Sequence, residues 1–306
     1  MSDAALLAGV ELGGTKCVCS LASPDGKIVA QETVPTTGPE ETLGRIEAML
    51  ARWTVAHGFA ALGIASFGPV DLDPGSPNWG FITTTPKPGW AQADVARRLG
   101  RGLGVPLAFD TDVNGAALAE MKWGAGQGMA DFAYITVGTG VGVGLIVNGA
   151  PTRGFGHSEL GHIRVARLAG DDWPGACPYH GACVEGLAAG GSIAKRLGGN
   201  AVGLAADHPV WEMVAHALAQ LCHVIVCAAA PRRIAIGGGV VSGHPHLLPR
   251  IERMLVESLA FYVLLPGEGP YVTAPGLGDR AGPLGPIALA AAVLESETGL
   301  RSIAPI

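Results

Sequence analysis

Apolar positions along the chain fall into short runs bounded by glycine and proline, the punctuation of strands and turns. Residues 5–12 (ALLAGVEL) read as a strand, GGTK as a glycine turn and residues 16–22 (KCVCSLA) as the next strand. Asp25-Gly26 makes a second hairpin turn into residues 27–34 (KIVAQETV). A helix is expected from about Pro39, where proline and two glutamates suit the first turn. Residues 61–66 (ALGIAS) and 106–112 (PLAFDTD) read as further strands, so the order predicts a mixed α/β sheet.

The opening pattern then returns. Residues 131–137 (DFAYITV) form a strand, GTGVG a glycine turn, and residues 143–149 (VGLIVNG) a strand closing on Asn148-Gly149. Two halves that begin strand, glycine loop, strand predict a duplicated domain with a ligand in the cleft between them. Residues 209–231 carry a long helix, and RRIAIGGGV runs from a strand into a third glycine turn. A last helix is expected from about 284, ending near Glu297 or extending to 306. The expected division is an N-terminal domain over 1–114, completed by that helix, and a C-terminal domain over 115–283.

A length of 306 residues favours two cores over one. With 48% hydrophobic and 15% charged residues the chain is core-rich rather than disordered. A net charge of −6 argues against a nucleic-acid partner, which needs a basic stripe. The N-terminus lacks the basic start and cleavage site of a signal peptide, and the apolar stretch Leu221 to Pro231 is interrupted by His223 and short for a membrane span. The expectation is a cytoplasmic protein with no membrane partner, whose six cysteines are thiols or metal ligands.

Two glycine loops follow apolar strands: Gly13-Gly14-Thr15-Lys16 and Gly138-Thr139-Gly140. Backbone amides in such turns make concave anion sites. Neither loop has Walker A spacing, and a hairpin glycine with no ligand explains either one alone. Their repetition in both halves favours a nucleotide. Lys16 is either solvated or in reach of phosphate. The run Asp110-Thr111-Asp112-Val113-Asn114 ends a strand and begins a helix. Alternation would set both aspartates on one face. A carboxylate there can take a proton from a hydroxyl, although a helix cap is the commoner explanation for the run alone.

Cys177, His180 and Cys183 have C-x2-H-x2-C spacing, and His162 lies shortly upstream. Two thiolates and two imidazoles match a closed tetrahedral zinc site. Glu159 and Glu185 flank this cluster and could accept hydrogen bonds from sugar hydroxyls. Cys17, Cys19, Cys222 and Cys227 lack the arrangement and read as core thiols.

The ordered set ELGGTK, SFGPVD, TTTPKPGW, DTDVNGAALAE, ITVGTGVGVG, HSELGHI, CPYHGACVEGLAAG and IAIGGGV covers nearly the whole chain and resembles the ROK family of sugar kinases and repressors. The resemblance implies two actin-like ATPase (ribonuclease H-like) α/β domains with an inter-domain cleft. It implies phosphoryl transfer from ATP, with Mg2+, to a hexose hydroxyl. It maps the catalytic base onto Asp112 and sugar contacts onto Asn114, Glu159, His162 and Glu185. Phosphate contacts map onto Gly13, Gly14, Thr15, Thr139 and Gly140, while Gly237, Gly238 and Gly239 would approach the adenosine. Family members are often dimers, so a homodimer is expected. The first loop begins with Glu11 where the family usually has Asp, His180 replaces a usual Cys, and the sugar loop reads Pro86-Lys87-Pro88-Gly89-Trp90. These variants, with HSELGH and CPYHGAC, are similar to the fructokinase branch. A repressor would carry a helix-turn-helix ahead of its phosphate loop, and here that loop is reached by Gly13. The rival readings are a glucose, mannose or N-acetylhexosamine kinase and a sugar-binding sensor without catalysis.

Overall fold

A computed structural model describes residues 5–199 and 201–297. In chain order the elements are β1 (Leu7–Leu12), β2 (Lys16–Ala22), β3 (Ile28–Pro35), α1 (Pro39–Ala56), β4 (Ala61–Ser66), α2 (Ala96–Gly100), β5 (Leu107–Thr111), α3 (Asp112–Trp123), β6 (Phe132–Val137), β7 (Val141–Val147) and β8 (Ala150–Pro151). There follow α4 (Val184–Ala188), α5 (Gly190–Leu197), α6 (Val210–Ala229), β9 (Ile234–Gly237), α7 (Gly239–Gly243), α8 (Leu247–Leu259), β10 (Val272–Thr273) and α9 (Ala281–Glu297). The expected continuation of the last helix through 298–306 lies outside the described residues, as do positions 1–4 of the N-terminus.

Internal contacts divide the chain into two units. Of the described residues, unit 1 takes those up to Trp123, the short segment Arg153–His157, and those from Asp279 to Glu297. Unit 2 takes Gly124–Thr152 and Ser158–Gly278.

Each unit is built on a five-stranded sheet of the same design. In unit 1 the order is β3-β2-β1-β4-β5. Strands β1, β2 and β3 pair antiparallel, and β4 and β5 continue parallel to β1. In unit 2 the order is β10-β9-β6-β7-β8, again an antiparallel meander (β6, β7, β8) joined through β6 to parallel strands. The duplication read from the glycine loops is therefore a duplication of topology.

Local chemistry accounts for the joints. Pro39 stands in the first turn of α1 with Glu40 and Glu41, where the helix dipole favours acid. Asn148 and Gly149 both take positive φ, the geometry that lets a two-residue turn match strand twist. In unit 1, Leu12, Ile46, Leu62, Ile64 and Trp90 are almost fully buried around the sheet. Each large apolar side chain so buried contributes roughly 1.5–3 kcal/mol. Helix α9 returns from the far end of the sequence and lies directly on β4. A Cβ at Gly63 would sit 1.8 Å from the Pro286 carbonyl oxygen, so only glycine lets the helix approach this closely.

Three expectations change. Strand β5 stops at Thr111, so Asp112 opens a helix instead of sharing a strand face with Asp110. Cys227 is exposed, whereas Cys17, Cys19 and Cys222 are buried thiols. The apolar stretch read as too short for a membrane is part of α6, which at 20 residues is long and apolar enough to cross one; half of its most apolar window is buried inside the protein. Buried Val214, Leu218, Leu221 and Ile225 make it a core helix of unit 2.

Candidate active site and metal cluster

The glycine loop of unit 1 lies at the end of β1, with Gly14, Thr15 and Lys16 exposed. It is tied down by two contacts. Thr36 Oγ1 donates to the Gly13 carbonyl at 2.7 Å, and Lys87 Nζ donates to the Gly14 carbonyl at 2.5 Å. Lys87 belongs to the Pro86–Trp90 loop, whose Trp90 is fully buried and donates to the Thr37 carbonyl at 2.7 Å. The Pro86–Trp90 loop is thus pinned to the first glycine loop.

Asp112 is half-buried at the start of α3. Thr111 Oγ1 accepts from the Asn114 amide at 3.2 Å, so the threonine caps the helix. Asp112 Oδ1 accepts from the adjacent Val113 amide at 2.9 Å. Its charge reaches Glu11 on β1. Burial first, then repulsion from Asp112, raises the Glu11 carboxyl to about 7, with Lys16 pulling the other way.

That shift has a testable consequence for stability. The ordinary carboxyl loses its proton near 4.5, and folded Glu11 loses its own near 7. The folded state therefore holds the proton more tightly, and stability falls as pH climbs from 4.5 through 7. Glu11→Gln removes this cost of about 3 kcal/mol. Thermal melts of ligand-free protein should show the variant gaining on its parent through that interval and holding the gain above pH 7. Parallel melting profiles would contradict the assignment.

Asp110 is fully buried and Asn114 almost so. Asp110 Oδ1 accepts from Asn114 Nδ2 at 2.8 Å and from the Thr111 amide at 2.7 Å. Its other oxygen takes a hydrogen bond from Arg153 Nη2. Arg153 does not stand out in the sequence and Lys87 reads only as part of the sugar loop, because each acts on a residue far from it along the chain.

In unit 2 one line of contacts joins the second glycine loop to the cysteine cluster. Gly138 donates to the Gly140 carbonyl at 2.9 Å and accepts from the Gly190 amide at 2.8 Å, while Thr139 is exposed. Glu185, in α4, accepts from the Val141 amide at 3.2 Å, and its other oxygen lies 4.0 Å from His162 Nδ1. His162 ends a short 3-10 turn that starts beyond the exposed Glu159. A Cβ on Gly161 would fall 1.8 Å from the Val141 carbonyl, so glycine allows this turn to press on β7. Gly237, Gly238 and Gly239 join β9 to α7, with Gly238 at positive φ.

His162, Cys177, His180 and Cys183 bring their ligand atoms within 4.8 Å of one another. Cys177 Sγ is 3.7 Å from His162 Nδ1 and 3.8 Å from His180 Nδ1, and Cys183 Sγ is 3.7 Å from His162 Nδ1. A tetrahedral zinc ion would separate its sulfur and nitrogen ligands by about 3.5 Å. The donor set and spacing fit that ion. Burial raises the Cys183 thiol to about 11 without metal, so ion binding must displace its proton.

The chain matches the ROK family over residues 7–293. It is 43% identical to a fructokinase of Zymomonas mobilis subsp. mobilis, covering 95% of this chain and 98% of the relative. It is 39% identical to a fructokinase of Pediococcus pentosaceus, covering 95% and 99%. Among solved structures it is similar to a ROK family glucokinase from Streptomyces griseus in complex with glucose and AMPPNP, with TM-score 0.73, 26% identity and coverage of 93% and 99%. Matched from its first strand to its last helix, and nearly end to end with enzymes that phosphorylate sugars, the chain belongs to the ROK family.

Proposed function

We propose that the protein is an ATP-dependent fructokinase that converts D-fructose and ATP into fructose 6-phosphate and ADP. The observation that carries the sugar is the 39% and 43% identity to two fructokinases over 95% of this chain. The glucose and AMPPNP held by the Streptomyces griseus relative support ATP as phosphoryl donor.

Asp112 accepts the proton of the attacking hydroxyl, the one on carbon 6 of fructose. The hydroxyl oxygen bonds to the γ-phosphorus as the bond to the β–γ bridging oxygen breaks, and ADP leaves. Within unit 1 the roles fall on Asp112, Asn114 and the cradle Gly13, Gly14, Thr15 and Lys16. Within unit 2 they fall on Glu159, His162 and Glu185 for sugar hydroxyls, and on Gly138, Thr139 and Gly140 for phosphate. Gly237, Gly238 and Gly239 face the adenosine end. Loop amides stabilise charge on the transferred group, so catalysis is mostly positioning plus electrostatics. Magnesium bound with the nucleotide would neutralise phosphate charge. His162, Cys177, His180 and Cys183 would hold zinc in a structural role, because four protein ligands would leave no open position. Were Nδ1 of His162 to bind the ion, its other ring nitrogen would be available to a sugar hydroxyl. Cytoplasmic location, without nucleic-acid or membrane partners, belongs to the same reading, and homodimeric assembly rests on family resemblance.

The test is a sugar panel at fixed ATP, read by ADP release. Fructose should give the highest kcat/KM among fructose, glucose, mannose and N-acetylhexosamines. A preference for glucose would move the protein to another branch of its family, and silence across the panel would favour a sensor.

A further inference from the structure

The Asp110–Asn114 pair needs an explanation that the proton transfer does not supply. Asp110 is 0% exposed, and a carboxylate taken out of water is strongly unfavourable unless cations and donors meet it. The Arg153 guanidinium meets one of its oxygens, and the other receives Asn114 Nδ2 and the Thr111 amide. Arg153 does not come from a neighbouring turn. It lies in Arg153–His157, the short segment that packs with unit 1 although the chain on both sides belongs to unit 2. The segment folds back on itself, with Arg153 bridged to His157 and Gly154 donating to Gly156 at 3.0 Å. Its far end is docked as well, because His157 Nε2 accepts from the Val70 amide at 3.0 Å.

The chemistry of the pair fixes an orientation. A carboxylate only accepts hydrogen bonds, so Asn114 must turn its NH2 toward Asp110. Its carbonyl oxygen then points the other way and can only accept, which suits a hydroxyl that donates. Asp110 also grips the Thr111 amide at the joint from which Asp112 projects. We infer that Arg153 is a positioning residue for the sugar site. By holding the Asp110 side chain in place it locks the amide of Asn114 and the β5–α3 joint, and so sets where the fructose hydroxyls meet Asn114 and Asp112. This rests on the kinase reading above.

The experiment is steady-state kinetics with fructose and ATP on Arg153→Met, Arg153→Lys, Asp110→Asn and the double variant Arg153→Met/Asp110→Asn, with melting temperatures alongside. Arg153→Met should lose on the order of 10²-fold in kcat/KM for fructose while the KM for ATP holds. Arg153→Lys, which keeps the charge and loses the fork, should recover part of that loss. The double variant should be no worse than Arg153→Met, since both changes break one unit. Arg153→Met with parental fructose kinetics would overturn the inference. So would multiplied, independent losses in the double variant, or a fall in melting temperature with unchanged kcat and KM in the folded fraction. If the parent itself turns over no sugar, the kinase reading fails first and the positioning role falls with it.

Discussion

Replacing Asp112 with Asn is expected to cut fructose-dependent turnover by about 10²–10⁴-fold while fructose still binds. The substitution changes one atom and keeps the acceptor that the Val113 amide uses, so α3 need not move. Thr111 carries the cap, which separates loss of chemistry from loss of the helix. What disappears is the group able to take the hydroxyl proton. The variant also removes the repulsion that adds to burial in raising Glu11, so the two carboxylates can be told apart. Coupled ADP release gives turnover, and calorimetry gives fructose affinity. Near-parental turnover would take Asp112 out of its role. Loss of fructose binding with an intact fold would make it a sugar ligand first.

The second large effect concerns the cysteine cluster. Changing Cys177 and Cys183 together to Ser should bring zinc from about one per chain to near zero by elemental analysis. The segment these residues close has little core of its own, so the ion's binding energy is expected to be folding energy there. Cys183 also accepts from the Gly186 amide at 3.4 Å at the start of α4, the helix that carries Glu185. Fructose KM should therefore rise, through both His162 and Glu185, along with a lower melting temperature. Zinc uptake by the parent should strengthen as pH rises, because thiols must lose protons to bind. Unchanged zinc content in the double variant would refute this ligand set.

Some of this arrangement could be read from the amino-acid order and some could not. Cys177, His180 and Cys183 sit within one turn-rich heptad, so their gathering is a local property that spacing reveals. The repeated strand, glycine loop and strand likewise encode the shared sheet design, because turn chemistry and alternation are short-range. The position of Asp110 needed tertiary information. Alternation placed it beside Asp112, yet β5 ends one residue earlier than the apolar run implied, and a partner 43 positions away holds it in the core. Lys87 on the Gly14 carbonyl is the same kind of contact. Helix α8 escaped notice because Pro245 and Pro249 surround its start and imitate a loop. The exposure of Cys227 escaped because its helix is apolar on most sides, and composition alone does not tell which side meets solvent.

Helix α9 has a further consequence for how the protein is made. It seats on β4 through Gly63 from far along the sequence. Every residue of unit 2 is synthesised before it. Unit 2 can consequently finish folding while the sheet of unit 1 waits for α9. Until Ala281 and its successors emerge, the nascent β1–β4 sheet keeps a bare greasy face, the stage at which a chaperone has most to hold.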